Sequence, residues 1–358
     1  MLSQCVVMTP WSEFLARRGA RLDRGAVKSF GDGAAELAAA RDDATVCDLA
    51  PLGALCVSGP DAAQFLHGQL TSDVLALERG AWQYSAWCSP KGRMLANFVV
   101  RRAQQERFDL LLSDDLVETI RKRLGMFVLR SKVSIESAGT ASVRIGVGGP
   151  KAQAVVRAVW GALPPSQQSL EVDGSAVIAL PGARWVAWVE PESAMNVWDR
   201  LAAKGRPAGF PAWEWLSIRA GVPLITPPIA DQYIPQMANW DALHGVSFSK
   251  GCYSGQEVVA RLQYLGRLKE RLALAHVDAP PPAAGERLFA LSFGDQACGS
   301  VVNAAAAPGG GADLLAVLQL AARDGGDVRV GSPDGPTLTL LPLPYALPET
   351  AAQRGRIA

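Results

Sequence analysis

The sequence predicts an α+β fold in which two α+β modules are followed by a small C-terminal β-barrel. Short strand-like apolar runs alternate with amphipathic helical stretches between residues 46 and 203. Hairpin-type turns recur between these stretches, which argues against a doubly wound parallel sheet. After about residue 268, short strand-like runs are separated by glycine, proline and alanine, a pattern typical of an all-β domain.

The first module is expected to combine helices with short strands. One helix is expected to open at the turn Gly59-Pro60-Asp61 and to run through Gln69, because proline is tolerated in a first helical turn. The other expected elements are strands at 46–48, 54–57, 108–112 and 132–136 and a helix at 115–126.

A β-hairpin is predicted within this module. It joins residues 82–88 to residues 93–102 through Ser89-Pro90-Lys91-Gly92, which is good turn chemistry. Side chains alternate between the two faces of a strand, so Asn97 shares a face with Leu95 and Val99. We therefore expect a polar group on a possible cavity surface.

The second module repeats this alternation, and the chain then changes character. Its predicted strands are at 143–147, 176–180 and 185–189, and its predicted helices at 151–160, 192–203 and 209–221. A proline-rich irregular stretch at 222–249 is too long for a plain connector, and such loops often line sites. The C-terminal strands are predicted at 272–277, 286–291, 297–303, 314–320, 328–330 and 337–341, with 304–311 as a loop. The expected domain boundaries are 1–140, 141–267 and 268–358.

The charge balance excludes several function classes. The chain has 358 residues with 35 basic and 34 acidic side chains and a net charge of +1, so no overall field favours nucleic acid or an anionic membrane. It shows neither the apolar core of a secretory signal nor a run of transmembrane length. We expect a cytoplasmic protein with no direct nucleic-acid or membrane partner.

The cysteines are scattered, with no C-x-x-C pair and no histidine at ligand spacing. A self-contained zinc or iron–sulfur site is therefore not expected, and neither is a disulfide framework. The sequence predicts reduced thiols, most of them small core residues. They are Cys5, Cys47, Cys56, Cys88, Cys252 and Cys298.

One short segment carries the strongest chemical signal. Ser254 followed by Glu257 and an apolar run is a capping-box pattern, which predicts a helix from Ser254. Cys252 then lies two residues before the helix, where free amides and the helix dipole favour a negative charge, and Lys250 adds a cation. A thiolate is therefore expected to form readily at Cys252, with Lys250 assisting. The segment consists of Lys250, Gly251, Cys252, Tyr253, Ser254, Gly255, Gln256 and Glu257, with Arg261 one helical turn on.

Simpler interpretations of the same residues remain open at this point. Cys252 can equally be a small buried residue in a tight turn, with Lys250 merely solvated, since free cysteine is among the most buried residue types. Glu257 and Arg261 are four residues apart, which favours an ordinary helix-stabilising contact.

Several motifs together resemble a known family. The chain is similar to the YgfZ-type folate-binding proteins, which are relatives of the glycine-cleavage T-protein, an aminomethyltransferase. The resemblance covers residues 45 to 347. The residues that carry it lie at 249–261, 59–61 with 69–71, 88–93, 220–223, 234–236 and 342–345.

The resemblance implies a fold and a function. It implies two ferredoxin-like α+β subdomains and a C-terminal β-barrel arranged as a ring around a cavity that binds tetrahydrofolate, or a derivative, non-covalently. It also implies an accessory factor for the assembly or repair of iron–sulfur clusters in client enzymes, including radical enzymes that modify tRNA. The motif cysteine of the family corresponds to Cys252.

One departure from the T-protein pattern bears on catalysis. The T-protein uses an aspartate on the strand after its glycine-rich turn, whereas residues 93–98 contain no carboxylate and Asn97 stands at or beside that place. An amide cannot act as a general base, so an accessory role is favoured over enzymatic turnover. A tetrahydrofolate-dependent aminomethyltransferase or demethylase is the alternative.

The resemblance also suggests which residues contact folate. Trp213 is the first choice, since it resembles a cavity-lining tryptophan of the family, although a core-packing role explains it equally well. The weaker choices are Tyr84, Asn97, Arg93 and Gln236. Arg93 can also be a solvated turn charge.

Overall fold

The computed structural model describes residues 9–264 and 268–348, and the fold is α+β as the sequence predicts. Within those residues the helices are α1 Pro10–Arg17, α2 Gly33–Asp42, α3 Ala62–Gln69, α4 Asp114–Gly125, α5 Ala152–Trp160, α6 Pro191–Ala202, α7 Phe210–Arg219, α8 Gln256–Tyr264 and α9 Leu320–Gly325. None of these helices is long and apolar enough to cross a bilayer.

The strands of the described residues fall into three large sheets and one small hairpin. They are β1 Arg21–Asp23, β2 Ala26–Ser29, β3 Thr45–Asp48, β4 Leu52–Ser58, β5 Trp82–Cys88, β6 Met94–Gln104, β7 Arg107–Ser113, β8 Ser134–Ser137, β9 Val143–Gly148, β10 Ser169–Val172, β11 Ser175–Leu180, β12 Arg184–Val189, β13 Arg206–Ala208, β14 Glu270–Val277, β15 Arg287–Ala290, β16 Ala297–Ala306, β17 Ala312–Gln319, β18 Val328–Val330 and β19 Leu338–Leu341.

One compact unit combines residues 9–53 with residues 138–217. Its six-stranded sheet has the order β10-β11-β12-β9-β3-β13, antiparallel except where β13 runs parallel to β3. The apolar faces of α1, α5 and α6 share one core with this sheet, and Trp198 of α6 is among the largest fully buried side chains. Burial of these helix faces, rather than helix propensity, stabilises the unit.

The second unit combines residues 54–137 with the described residues from 218 onwards. Its first sheet has the order β5-β6-β7-β4-β8, and the predicted hairpin of β5 and β6 is confirmed, with Ala86 opposite Asn97. The apolar side of α4 is buried through Leu116, Ile120 and Leu124.

The C-terminal strands of the second unit form a curled antiparallel sheet of order β18-β15-β16-β17-β14-β19. A bridge between Arg329 and Thr337 links the two outer strands, so the sheet closes on itself as a small barrel. Its interior is filled by aliphatic side chains, among them Leu288, Leu314 and Leu318.

Some elements of the structure were not predicted from the sequence or were placed differently. Those not predicted are α1, α2, α9, β1, β2, β10 and β13, which are short and depend on packing for their stability. The predicted loop at 304–311 is wrong in its first part, because β16 continues to Ala306 and pairs with Ala312 of β17. The division at 1–140, 141–267 and 268–358 and the ring arrangement stay predictions, and Cys5 lies outside the described residues.

A histidine on the barrel surface predicts a pH-dependent stability. Nδ1 of His276 lies 2.8 Å from Oδ1 of Asp313, and Asp278 and Arg219 complete the charged group. The hydrogen bond to Asp313 raises the pKa of His276. The contribution of protonated His276 to the free energy of unfolding is therefore fully present below about pH 6.5, and it is lost as the pH rises through the folded-state pKa.

The free energy of unfolding of the wild type is therefore expected to be about 1 kcal/mol higher than that of His276→Gln at pH 5.5. The difference should shrink as the pH is raised to 8.5. Urea unfolding at a series of pH values measures it, and a constant difference would contradict the assignment.

Candidate functional site

The predicted cysteine lies on a short loop that leads into α8. We call residues 249–255 the cysteine loop. The prediction that the helix starts at Ser254 is wrong, because α8 begins at Gln256. Gly255 has φ of +79°, a left-handed conformation that cannot continue a right-handed helix. The Tyr253 amide instead donates to Oε1 of Gln256 at 3.2 Å.

Two glycines fix the cysteine loop against the β5–β6 turn. Gly92 also has a positive φ, of +71°, and its Cα lies 2.7 Å from where a Cβ on Gly255 would stand. The same Cβ would lie 2.4 Å from the carbonyl oxygen of Ser89. Only glycine at both positions permits this close approach of two backbones. The two motifs, far apart in sequence, therefore meet at one place.

Gly255→Ala is expected to lower the free energy of unfolding by about 2–4 kcal/mol, through a strained left-handed alanine and a backbone clash. Gly251→Ala is the matched control, because its Cβ would meet only Nε2 of His67, at 3.8 Å. Chemical denaturation of both variants measures the difference. Equal stability of the two would show that the cysteine loop does not pack on the turn as described.

Lys250 anchors the cysteine loop to the end of α3. Its buried ammonium donates to the carbonyl oxygens of His67, of Leu70 at 2.6 Å and of Ser72 at 3.0 Å, and it lies over the Tyr253 ring. These carbonyls at the end of α3 benefit from a cationic donor. Burial lowers the pKa of Lys250 to about 8, so the side chain remains largely charged at neutral pH. Its predicted assistance to thiol ionisation stays a prediction.

Cys252 differs from the other described cysteines in its exposure. Cys47, Cys88 and Cys298 are buried and Cys56 is half-buried, whereas Cys252 is exposed, and none of the five forms a disulfide. Burial raises the pKa of the Cys47 thiol to about 12 and also raises the pKa of the Cys88 thiol. The buried thiols therefore stay protonated and inaccessible. The alternative of a buried Cys252 is thus excluded.

Asn97 has a structural role that the sequence did not reveal. Its Nδ2 donates to the carbonyl oxygen of Pro223 at 2.8 Å, and its Oδ1 accepts from the amide of Ile225 at 2.8 Å. Both ends of the amide hold the loop that follows α7. A carboxylate could not make the first of these bonds, so the amide is required here as a donor and an acceptor.

Tyr84 belongs to a group of buried aromatic side chains, and Gln236 is buried in the same unit. The Tyr84 ring lies 5.1 Å from Trp240 and 5.4 Å from Trp82, and it shares a sheet face with Asn97. Gln236 is buried and donates to the carbonyl oxygen of Val259 in α8 at 2.7 Å.

Three buried polar atoms of this region have no hydrogen-bond partner within the described part of the chain. They are Nε1 of Trp82, Nε1 of Trp240 and Oε1 of Gln236. Buried polar groups are normally paired, so unpaired donors and an acceptor beside flat aromatic rings fit a polar, planar ligand such as a pterin.

The structure shows different surroundings for the other predicted folate contacts. Trp213 belongs to the first unit, is 2% exposed, and packs against Gly146 with the Arg184 guanidinium 5.4 Å from its ring. Arg93 is exposed and donates to the carbonyl oxygen of Gln232. Glu257 and Arg261 are exposed on α8. Roles for Trp213 and Arg93 in folate binding stay predictions, and so does the helix-stabilising contact between Glu257 and Arg261.

Comparison with known proteins decides the family. A family model described as the GCVT N-terminal domain matches residues 26–246. The tRNA-modifying protein YgfZ of Yersinia enterocolitica is 33% identical over 321 residues, 85% of this chain and 93% of that protein. The protein of the same name from Cronobacter sakazakii is 32% identical over 319 residues, 87% of this chain and 96% of that protein.

The chain belongs to the YgfZ family. This chain is similar in structure to the glycine cleavage system aminomethyltransferase T from Bartonella henselae, with a TM-score of 0.76 and 18% sequence identity. The superposition covers 95% of this chain and 98% of that protein. At that identity the likeness shows the fold alone. The predicted family and fold are both confirmed.

The structure of this YgfZ-family protein also shows residues that sequence reasoning missed. His67 of α3 directs Nδ1 to Asp73 at 3.1 Å and lies beside Gly251 of the cysteine loop. Burial and the Lys250 charge lower the pKa of His67, against the opposing effect of Asp73. The sequence gives no local signal for the contact between His67 and the cysteine loop, because the two are far apart along the chain.

Proposed function

We propose that this protein is a folate-binding accessory factor that supports the assembly or repair of iron–sulfur clusters in client enzymes, including enzymes that modify tRNA. The thiol of Cys252 would serve as a transient ligand to the cluster or as a redox-active thiol. The observation that carries the proposal is the exposure of this one thiol on a loop fixed by Lys250 and Gly255. The relatives' name supports the tRNA connection.

The fixed loop explains how a single thiol can serve a partner protein. An exposed cysteine on a mobile loop would lose conformational entropy on contact with a client. Here the ammonium of Lys250 and the close approach of Gly92 and Gly255 hold the backbone on both sides of Cys252. The thiol is therefore presented in a defined position.

The folate part of the proposal rests on the aromatic group around Tyr84. Trp82 and Trp240 would donate to acceptor atoms of the ligand, and the Tyr84 ring would offer a flat face. Bound tetrahydrofolate would stabilise or regulate the protein.

Trp240→Phe is expected to lower tetrahydrofolate affinity about tenfold, since one hydrogen bond is lost. The matched control is Trp160→Phe, because Nε1 of Trp160 is also buried and unpaired within the described residues but lies in the first unit. Anaerobic equilibrium dialysis gives the affinities. No binding by the wild type would sink the folate part of the proposal.

A folate-dependent aminomethyltransferase or demethylase is the second candidate, favoured by the T-protein fold. For this activity the protein lacks a catalytic base on β6, because the strand contains no carboxylate. Both polar atoms of the Asn97 side chain are already hydrogen-bonded to the backbone. Steady-state assays with a methylamine donor and tetrahydrofolate separate the two candidates. The accessory role predicts no turnover.

A further inference from the structure

The loop after α4 exposes apolar side chains to solvent. We call residues 126–130 the apolar loop. Met126 is 66% exposed, Phe127 is 47% exposed and Leu129 is 87% exposed. Leu129 also has φ of +47°, a conformation that is costly for a bulky side chain. Three exposed apolar residues within four positions of a strained loop are unusual for a surface without a partner.

The apolar loop lies at the same end of the sheet as Cys252. The Phe127 ring is 6.0 Å from the ring of Trp87, the penultimate residue of β5. The backbone of Trp87 bridges Leu70, whose carbonyl oxygen accepts from Lys250 of the cysteine loop. The turn that follows β5 contacts Gly255 directly. The apolar loop and the cysteine loop thus flank the same strand end.

The stretch of sequence that contains the apolar loop carries charges of one sign. Residues 119–133 contain five cations and no carboxylate. The cations are Arg121, Lys122, Arg123, Arg130 and Lys132. All except Arg121 are exposed, and Arg121 pairs with Glu118. The Arg123 guanidinium lies 5.5 Å from the Trp87 ring, which extends the surface toward β5.

We propose that Met126, Phe127 and Leu129, together with these cations, form the docking surface for an acidic, amphipathic segment of the client protein. Exposed methionine and phenylalanine side chains suit an apolar helix face, and the surrounding cations suit its acidic flank. Nucleic acid would use the cations but gains little from exposed leucine and methionine. The proposal rests on the proposed function, because it names the partner that the docking surface brings to Cys252.

The test uses a synthetic helix-forming peptide with leucines on one face and glutamates on the other. Its fluorescence anisotropy is measured against the full-length protein, with a glutamate-to-lysine version of the peptide as the control. Wild-type protein is expected to bind the acidic peptide only. The double variant Phe127→Ser/Leu129→Ser should weaken binding about tenfold, as should Lys122→Glu/Arg130→Glu. Leu291→Ser, an exposed apolar residue of the second unit beside the barrel, is the matched control and should bind normally.

Failure of the docking surface and failure of the proposed function give different results. Cys252→Ser should bind the peptide like the wild type, whatever its effect on client enzymes. Binding that is insensitive to both double variants, or equal binding of the lysine peptide, would overturn the docking proposal. So would binding of tRNA that is lost in Lys122→Glu/Arg130→Glu and retained in Phe127→Ser/Leu129→Ser, since this would assign the surface to nucleic acid.

Discussion

Arg271→Met is expected to lower the free energy of unfolding by about 3–5 kcal/mol, because it leaves the carboxylate of Asp241 buried without its partner. Arg271 and Asp241 form a bidentate pair with contacts of 2.6 and 2.9 Å, and their side chains are 6% and 4% exposed. The guanidinium also donates to the carbonyl oxygen of Gln236 at 2.9 Å and to Oδ1 of Asn239 at 3.2 Å. One side chain of β14 therefore holds the irregular segment that carries Trp240.

Two variants control for the loss of charge. Lys151→Met breaks the exposed contact of Lys151 with Asp43, of 3.3 Å, and should cost less than about 1 kcal/mol. The double variant Arg271→Met/Asp241→Leu should recover part of the loss, since an apolar pair can replace a buried ion pair. Urea unfolding measures the change in the free energy of unfolding for Arg271→Met, for Lys151→Met and for the double variant. A cost for Arg271→Met no larger than that for Lys151→Met would show that the buried pair does not hold this segment.

Cys252→Ser is expected to abolish support of client enzymes while leaving the fold and the folate affinity intact. The exposed side chain makes few contacts, so the free energy of unfolding should change by less than about 0.5 kcal/mol. In bacteria that lack their own YgfZ relative, the wild type should restore the client-dependent tRNA modification. The variant should leave it at the level of cells without the protein.

The matched control for this variant is Cys56→Ser. Cys56 is a half-buried free thiol of the same unit, on β4, and burial raises its pKa. Its replacement should retain support of the clients. If both variants support the client fully, the thiol of Cys252 has no part in the function.

Local features could be predicted from the sequence. The β5–β6 hairpin follows from its Ser89-Pro90-Lys91-Gly92 turn, and α3 and α4 follow from short-range patterns. The start of α8 could not be predicted in the same way. The sequence has a capping-box pattern at Ser254, but Gly92 approaches Gly255 closely and Gly255 has a left-handed conformation. The helix therefore begins after Gly255.

Long-range contacts account for most of what the sequence did not reveal. Lys250 contacts carbonyl oxygens that are 178 to 183 positions away in sequence, and Asn97 contacts a carbonyl oxygen 126 positions away. No periodicity or local motif specifies such partners. The aromatic pattern at Trp213 predicted a helix correctly, but it left open whether the ring would line a cavity or pack in the core, and it did not specify Gly146 as the neighbour.

The most direct test of the account is repair of an oxidised iron–sulfur client enzyme in a purified system with ferrous iron, sulfide and thiol reductant. The iron–sulfur absorbance and the client activity are followed with time. Wild-type protein should accelerate recovery, and Cys252→Ser, with the same folate affinity, should give the rate seen without any added protein. Equal acceleration by the two proteins would contradict the central role of Cys252.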